Sequence, residues 1–336
     1  MKNRNKNKEN GKAKYFNKHK LLIMLGSVLS VFLILFLSLY FVAGSYFFSF
    51  ALESSFKQAE AIPEETKDKL EQMPLPENDV GWVKDAIIKI ANINSQDDGY
   101  KLNAFEVLQE TNSHKWVISI HGYRGKAVDN ARYAKEFYEK GYNVLLPDLE
   151  AHGFSEGKFV GMGYSDRFDI IGWINYIIEK DPDCQIVLHG VSMGGATVMM
   201  TTGEKLPENV KCAIEDCGYS NVYDIFKHVS NEYLSLPFKH TLLSALDLVV
   251  KIKLGIHLKQ ADCAEALKKS TTPTLFIHGT EDNFVPFSML DIVYNANPNL
   301  EKEKLVVEGA NHAYSATYAP ELYFEKVFNF VEKYVK

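Results

Sequence analysis

The sequence predicts an α/β fold built on a mostly parallel, doubly wound sheet. From about residue 84 onward, short β-branched apolar runs alternate with helical stretches, the pattern of strands joined through helices. Several runs are apolar throughout, as strands buried on both faces must be. A third feature sets the N-terminus apart. The 30 residues Leu21–Phe50 carry no charge, which predicts one transmembrane helix ahead of the sheet domain.

The candidate strands are Ile87–Asn94, Leu102–Leu108, Trp116–His121, Asn143–Pro147, Gln185–Gly190, Lys211–Glu215, Thr274–His278 and Lys304–Glu308. Helical segments are expected near Val128–Glu139, Tyr164–Glu179, Met193–Glu204, Phe287–Ala296 and Pro320–Val335. In the last, Pro320 suits a first turn, and Phe324, Val327, Phe328 and Val331 recur at helical spacing. The first two strands flank Asp97-Asp98-Gly99 as a hairpin-like pair, so the sheet is expected to be mixed at that edge.

An apolar fraction of 46% over 336 residues excludes disorder for most of the chain. Its net charge of −6 is unevenly spread: residues 2–20 sum to +7 and the remainder to −13. An acidic body with a basic tail argues against nucleic acid as a partner. The basic tail, 1–20, is expected in the cytoplasm by the positive-inside rule, with everything after residue 50 outside. Ser49-Phe50-Ala51 offers a small-x-small cleavage site, but signal peptides have apolar cores of about 7–15 residues, so the length of 21–50 argues for an uncleaved anchor. Aromatic Tyr46, Phe47, Phe48 and Phe50 suit an interfacial belt. Residues 51–83, polar and punctuated by Pro63, Pro74 and Pro76, are expected to form a stalk below the sheet domain at 84–336. Four cysteines, Cys184, Cys212, Cys217 and Cys263, lack the paired spacing of a zinc site. A Cys184–Cys212 bridge and buried free thiols are both open, the thiols being favoured.

Gly190-Val191-Ser192-Met193-Gly194 follows one apolar strand and opens a helical segment. A sharp strand-to-helix turn there would hold the serine out at the sheet's carboxyl edge, with glycines where backbone leaves no room for Cβ. A serine in an ordinary glycine-rich turn would look similar in isolation, but two later loops supply its chemical partners. His278-Gly279-Thr280-Glu281-Asp282-Asn283-Phe284-Val285-Pro286 and Gly309-Ala310-Asn311-His312-Ala313 each follow a later strand, where open α/β sheets build their sites. A serine hydroxyl needs a base, and the base a carboxylate to orient it.

With these residues the chain resembles the α/β-hydrolase superfamily over roughly 84–336. His121-Gly122-Tyr123-Arg124-Gly125 is similar to the family's oxyanion loop, and Asp148-Leu149-Glu150-Ala151-His152-Gly153-Phe154-Ser155 to its Asp-x-x-x-His-Gly-x-Ser turn. The resemblance is closest to membrane-anchored or secreted bacterial members. It implies Ser192 as nucleophile, His312 as general base and acid, and Asp282 as orienting carboxylate. It also implies backbone N–H groups of Tyr123 and Met193 as the oxyanion hole. Asp216 stands at a second position where some members carry the acid; the Val285-Pro286 that follows favours Asp282. Glu281 is expected to point elsewhere, and His121, His152, His189 and His278 to brace loops.

The segment at about 219–270 is too long for a simple connection. Val222, Ile225, Phe226, Val229 and Tyr233 follow helical spacing and Leu242–Leu254 is densely apolar, so it resembles a small helical lid. Such a lid favours an acyl or aromatic group, although the same faces would serve to pack the insertion on the body. The expectation is an extracytoplasmic, membrane-anchored serine hydrolase acting on a small-molecule or lipid-like carboxylic ester through an acyl-enzyme. No metal or cofactor motif is present. A peptidase of prolyl-oligopeptidase type is weaker because residues 51–83 cannot supply a propeller. An acyltransferase would use the same serine, and an adhesion module would have no need of all three triad residues.

Overall fold

The computed structural model describes residues 2–53, 87–232 and 238–336. Most of the expected stalk, and Tyr233 of the insertion, lie outside the described residues. The chain divides into two compact units, 1–50 with 237–255 and 51–236 with 256–336.

The first unit holds most of helix α1 (Lys2–Leu52). The helix runs further than the uncharged stretch, because the Lys-rich tail continues the same helical path. Lys18–Leu52 is long and apolar enough to cross a membrane.

The second unit is built on eight strands: β1 (Ile87–Asn94), β2 (Lys101–Leu108), β3 (Lys115–Ile120), β4 (Asn143–Pro147), β5 (Gln185–Val191), β6 (Val210–Asp216), β7 (Thr274–Gly279) and β8 (Lys302–Val307). They form one sheet in the order β1-β2-β4-β3-β5-β6-β7-β8. β1, β2 and β4 pair antiparallel and the rest parallel, so the sheet is mixed at the expected edge. β8 starts two residues before the expected Lys304 because polar Lys302 and Glu303 still pair with β7; an edge strand tolerates such residues.

Helices follow in chain order: α2 (Ala131–Glu139), α3 (Asp166–Lys180), α4 (Met193–Thr202), α5 (Val222–Glu232), α6 (Lys239–Leu254), α7 (Cys263–Leu267), α8 (Ser288–Ala296), α9 (Ser315–Tyr318) and α10 (Pro320–Val331). A 3₁₀ turn at Ala127–Asn130 precedes α2. One face of the sheet packs Val117, Val144, Val187, Ile214 and Leu275 against Phe137 of α2 and Tyr323, Val327 and Val331 of α10. Alternate residues of the same strands, among them Ile118, Leu188 and Phe276, are equally buried. Both faces of the central strands are therefore covered, which is why their sequences read as unbroken apolar runs. The insertion at 219–270 contains α5, α6 and α7, and its central part, Pro237–Gly255, belongs to the first unit.

Candidate active site

Ser192 occupies the one-residue turn between β5 and α4, with φ +58° and ψ −117°. A non-glycine residue is strained there. Two features over-determine the turn. The Ser192 N–H donates to the Asp216 carbonyl at 2.8 Å, tying it to the neighbouring strand β6. Gly190 and Gly194 let backbone cross closely: a Cβ at either would collide with the carbonyl of Gly194 or of Ile120, respectively. The sequence folds this way because no other residue fits those two places.

His312 follows β8, and Asp282 follows β7. His312 Nδ1 donates to Asp282 Oδ2 at 2.7 Å, which leaves Nε2 as the acceptor facing Ser192 Oγ at 2.9 Å. Asp282 and Ser192 are buried, whereas the His312 side chain keeps 22% of its surface exposed. The three residues expected from sequence therefore meet. Asp282 Oδ1 accepts the N–H groups of Phe284 and Val285 at 3.0 and 2.8 Å. Burial pushes the Asp282 carboxyl up, but hydrogen bonds from His278 and His312 outweigh it and hold the group at about 2. It stays ionised at any working pH.

Asp216, the alternative acid, is buried and makes no hydrogen bond to His312; desolvation pushes its carboxyl up to about 6. Glu281 is exposed. Met193 is the first residue of α4, where an N–H has no intrahelical acceptor. Tyr123 lies in the loop after β3, next to Gly122, whose backbone passes so close to Ser192 that an added Cβ would sit 3.5 Å from Ser192 Cβ. The Tyr123 hydroxyl donates to the Ala51 carbonyl at 2.7 Å, and Leu52, whose carbonyl accepts from Val160 N at 2.8 Å, is buried.

Two of the four histidines expected to brace loops do so. His121 Nδ1 donates to Gly122 O at 2.8 Å and its Nε2 accepts from Leu149 N at 3.1 Å. His152 accepts from Arg124 N at 3.2 Å and donates to Glu150 O at 2.8 Å. Burial pushes both below the ordinary histidine range, His121 to about 3, so they stay neutral and hold the Gly122–Arg124 loop against the Leu149–His152 loop. His189 differs from the expectation: it lies within β5 and pairs with Ser119 Oγ of the neighbouring strand β3 at 2.8 Å, so it ties strands together and not a loop. His278 does more than sequence reasoning assigned it. Its Nε2–H donates to Val285 O at 2.9 Å and lies 3.2 Å from Asp282 Oδ2. The signal available was its spacing, four residues before Asp282 and just before Gly279.

All four cysteines are free and buried, so Cys184 and Cys212 are not bridged. Cys217 Sγ and ligand atoms of Asp282 and His312 lie within 4.8 Å of one another, a grouping of metal-ligand type. Its chemistry does not fit a metal. Burial and the adjacent carboxylates Asp216 and Asp282 push the Cys217 thiol well up, so it resists becoming a thiolate ligand.

A mostly parallel eight-stranded sheet with a serine on its strand-to-helix turn, and an aspartate and a histidine on later loops, is the α/β-hydrolase fold. Residues 111–217 match the family described as serine aminopeptidase, S33. Among curated relatives, the chain is 24% identical to the uncharacterized protein YqkD of Bacillus subtilis, over 70% of this chain and 76% of that one. It is 21% identical to a carboxylesterase of the same organism, over 65% of this chain and 93% of the relative. An esterase of Pyrococcus furiosus superposes with a TM-score of 0.63 at 19% identity, covering 84% of this chain and all of the other. These likenesses support a hydrolase.

Proposed function

We propose that the protein is a membrane-anchored serine hydrolase that cleaves carboxylic esters through an acyl-enzyme. The observation that carries the reading is the continuous hydrogen-bonded line from Asp282 through His312 to Ser192, at 2.7 and 2.9 Å. In this mechanism His312 Nε2 takes the serine proton as Oγ attacks the ester carbonyl. Asp282 holds the imidazole in the tautomer that can do so and stabilises the imidazolium that forms. The tetrahedral oxyanion is received by the N–H groups of Met193 and Tyr123. His312 then protonates the leaving alcohol, and a water molecule, activated by the same imidazole, releases the acid.

In this proposal α1 is an uncleaved anchor, and the positive flank 2–20 favours a catalytic domain outside the cell. An ester substrate is favoured by the carboxylesterase and esterase likenesses. A second reading, a serine peptidase, is favoured by the S33 aminopeptidase match over 111–217. A panel of p-nitrophenyl esters and aminoacyl p-nitroanilides separates the two. Turnover of esters without amides supports the first; amide turnover of comparable efficiency overturns it.

A further inference from the structure

The insertion helix α6 is sorted with the membrane helix, not with the sheet domain: Pro237–Gly255 and Met1–Phe50 form one compact unit. The contact has a defined place. About 20 residues of α-helix cross a bilayer core, and the basic residues Lys18 and Lys20 mark where the uncharged run begins. A span starting at Leu21 is therefore complete near residue 40, and roughly ten apolar residues remain beyond it, about 15 Å of helix. Burial changes at that point. Every residue from Lys18 to Leu39 is exposed, whereas Tyr40, Ala43, Gly44, Phe47 and Phe48 are partly or fully covered.

α6 contributes to that cover. At Gly44 the two backbones approach so closely that a Cβ would collide with the Ala245 carbonyl and touch Val249 Cγ2, the kind of crossing that small residues permit between helices in lipid. One turn further, the Lys253 ammonium lies 4.3 Å from the ring centroid of fully buried Phe48. Away from Ala245 and Val249, α6 keeps a second face exposed at Thr241, Ser244, Leu248 and Ile252, spaced by three and four residues so that they share one side. Its charge is also reversed relative to its surroundings: Lys239, Lys251 and Lys253 against Asp247, on a chain that sums to −13 after residue 20.

We propose that α6 is an interfacial helix lying in the headgroup layer beside the exit of α1, its Leu248–Ile252 face in the lipid. This rests on α1 being a membrane span. An apolar helix face this small is not unusual on a soluble protein; its pairing with α1 beyond the completed span is what commits the occupant to lipid.

The test uses the full chain in vesicles of phosphatidylcholine and phosphatidylglycerol. Leu248→Cys, Ile252→Cys, Leu300→Cys and Phe36→Cys are each labelled with bimane, the four native thiols being buried. Leu300, 95% exposed, is the aqueous reference, and Phe36 reports the span. Shallow doxyl lipid is expected to quench the Leu248 and Ile252 labels at least twofold more than iodide does, with the reverse at Leu300 and deep doxyl lipid quenching Phe36. Iodide quenching of Leu248 and Ile252 equal to that of Leu300, with Phe36 still deep, overturns the proposal and leaves the anchor standing. Labels shielded from both quenchers overturn it too, since α6 then packs on protein. Iodide access to Phe36 overturns the anchor and the proposal together. In every case turnover of a soluble ester reports separately on the catalytic reading.

Discussion

His278 Nε2 lies 3.2 Å from Asp282 Oδ2, the same oxygen that receives His312 Nδ1 at 2.7 Å. Asp282 is thus supported from two histidines and, through its other oxygen, by two backbone N–H groups. His312, the His278 N–H shared with Val285 O, and the two backbone N–H groups together explain why its ionised form survives burial.

His278→Asn removes one of those donors. A lost hydrogen bond worth about one pKa unit corresponds to about tenfold. The expected result is a drop in kcat on the order of tenfold with KM unchanged. Unchanged kcat in a folded variant would reduce His278 to a brace for the Val285 loop.

The two candidate carboxylates are separable. Asp282→Asn should cost about 10⁴-fold in kcat, because the imidazole loses its orienting partner. Asp216→Asn should cost far less, since Asp216 makes no hydrogen bond to His312. Steady-state kinetics on a p-nitrophenyl ester compares them directly, and equal losses would contradict the assignment.

Stability should fall from mildly acidic to alkaline pH. Burial, followed by mutual repulsion, pushes Glu150 up to about 8 and Asp169 to about 7, and burial pushes Asp166 to about 6. Unfolded carboxyls ionise near 4, so between about 4 and 8 the folded chain holds protons that the unfolded chain has released, and stability declines with rising pH. Asp282 acts in the opposite sense at the acid end. Its depressed carboxyl contributes stability above about 3.8, lost as pH falls through about 2. The full chain in detergent should melt several degrees higher at pH 5 than at pH 8. Glu150→Gln should recover about 1–3 kcal/mol of the difference. A melting temperature that rises from pH 5 to pH 8 would contradict this.

The anchor should be retained. The Ala51 carbonyl is bound by the Tyr123 hydroxyl, and Leu52 is buried within the unit that holds the sheet. Peptide mapping of protein extracted from membranes should recover peptides that run through residue 51. A mature N-terminus at Leu52 would show that α1 is a cleaved signal.

The strands were legible because burial on both faces of a parallel sheet leaves one-residue-type runs, as at Gln185–Val191. The grouping of Ser192, Asp282 and His312 was legible because each follows a strand, where topology alone brings them to one edge. Strand order was not, since register between β4, β3 and β5 is set by crossovers rather than by local pattern. The short helices α7 and α9, of five and four residues, leave too little periodicity to read. His278 was placed with the loop-bracing histidines because its second contact depends on how the Asp282 loop folds back over β7. The pairing of α6 with α1 escaped for a similar reason: a dense apolar stretch states that something covers it, not what.

The central claim is that Ser192 is the nucleophile of an ester hydrolase. It is tested most directly by comparing wild type and Ser192→Ala for p-nitrophenyl butyrate turnover and covalent fluorophosphonate labelling. Wild type should turn over the ester and take one label, at Ser192. Ser192→Ala should lose about 10⁴–10⁶-fold in rate and all labelling while keeping its melting temperature. Labelling that persists at another serine, or ester turnover that survives in the folded variant, would contradict the account.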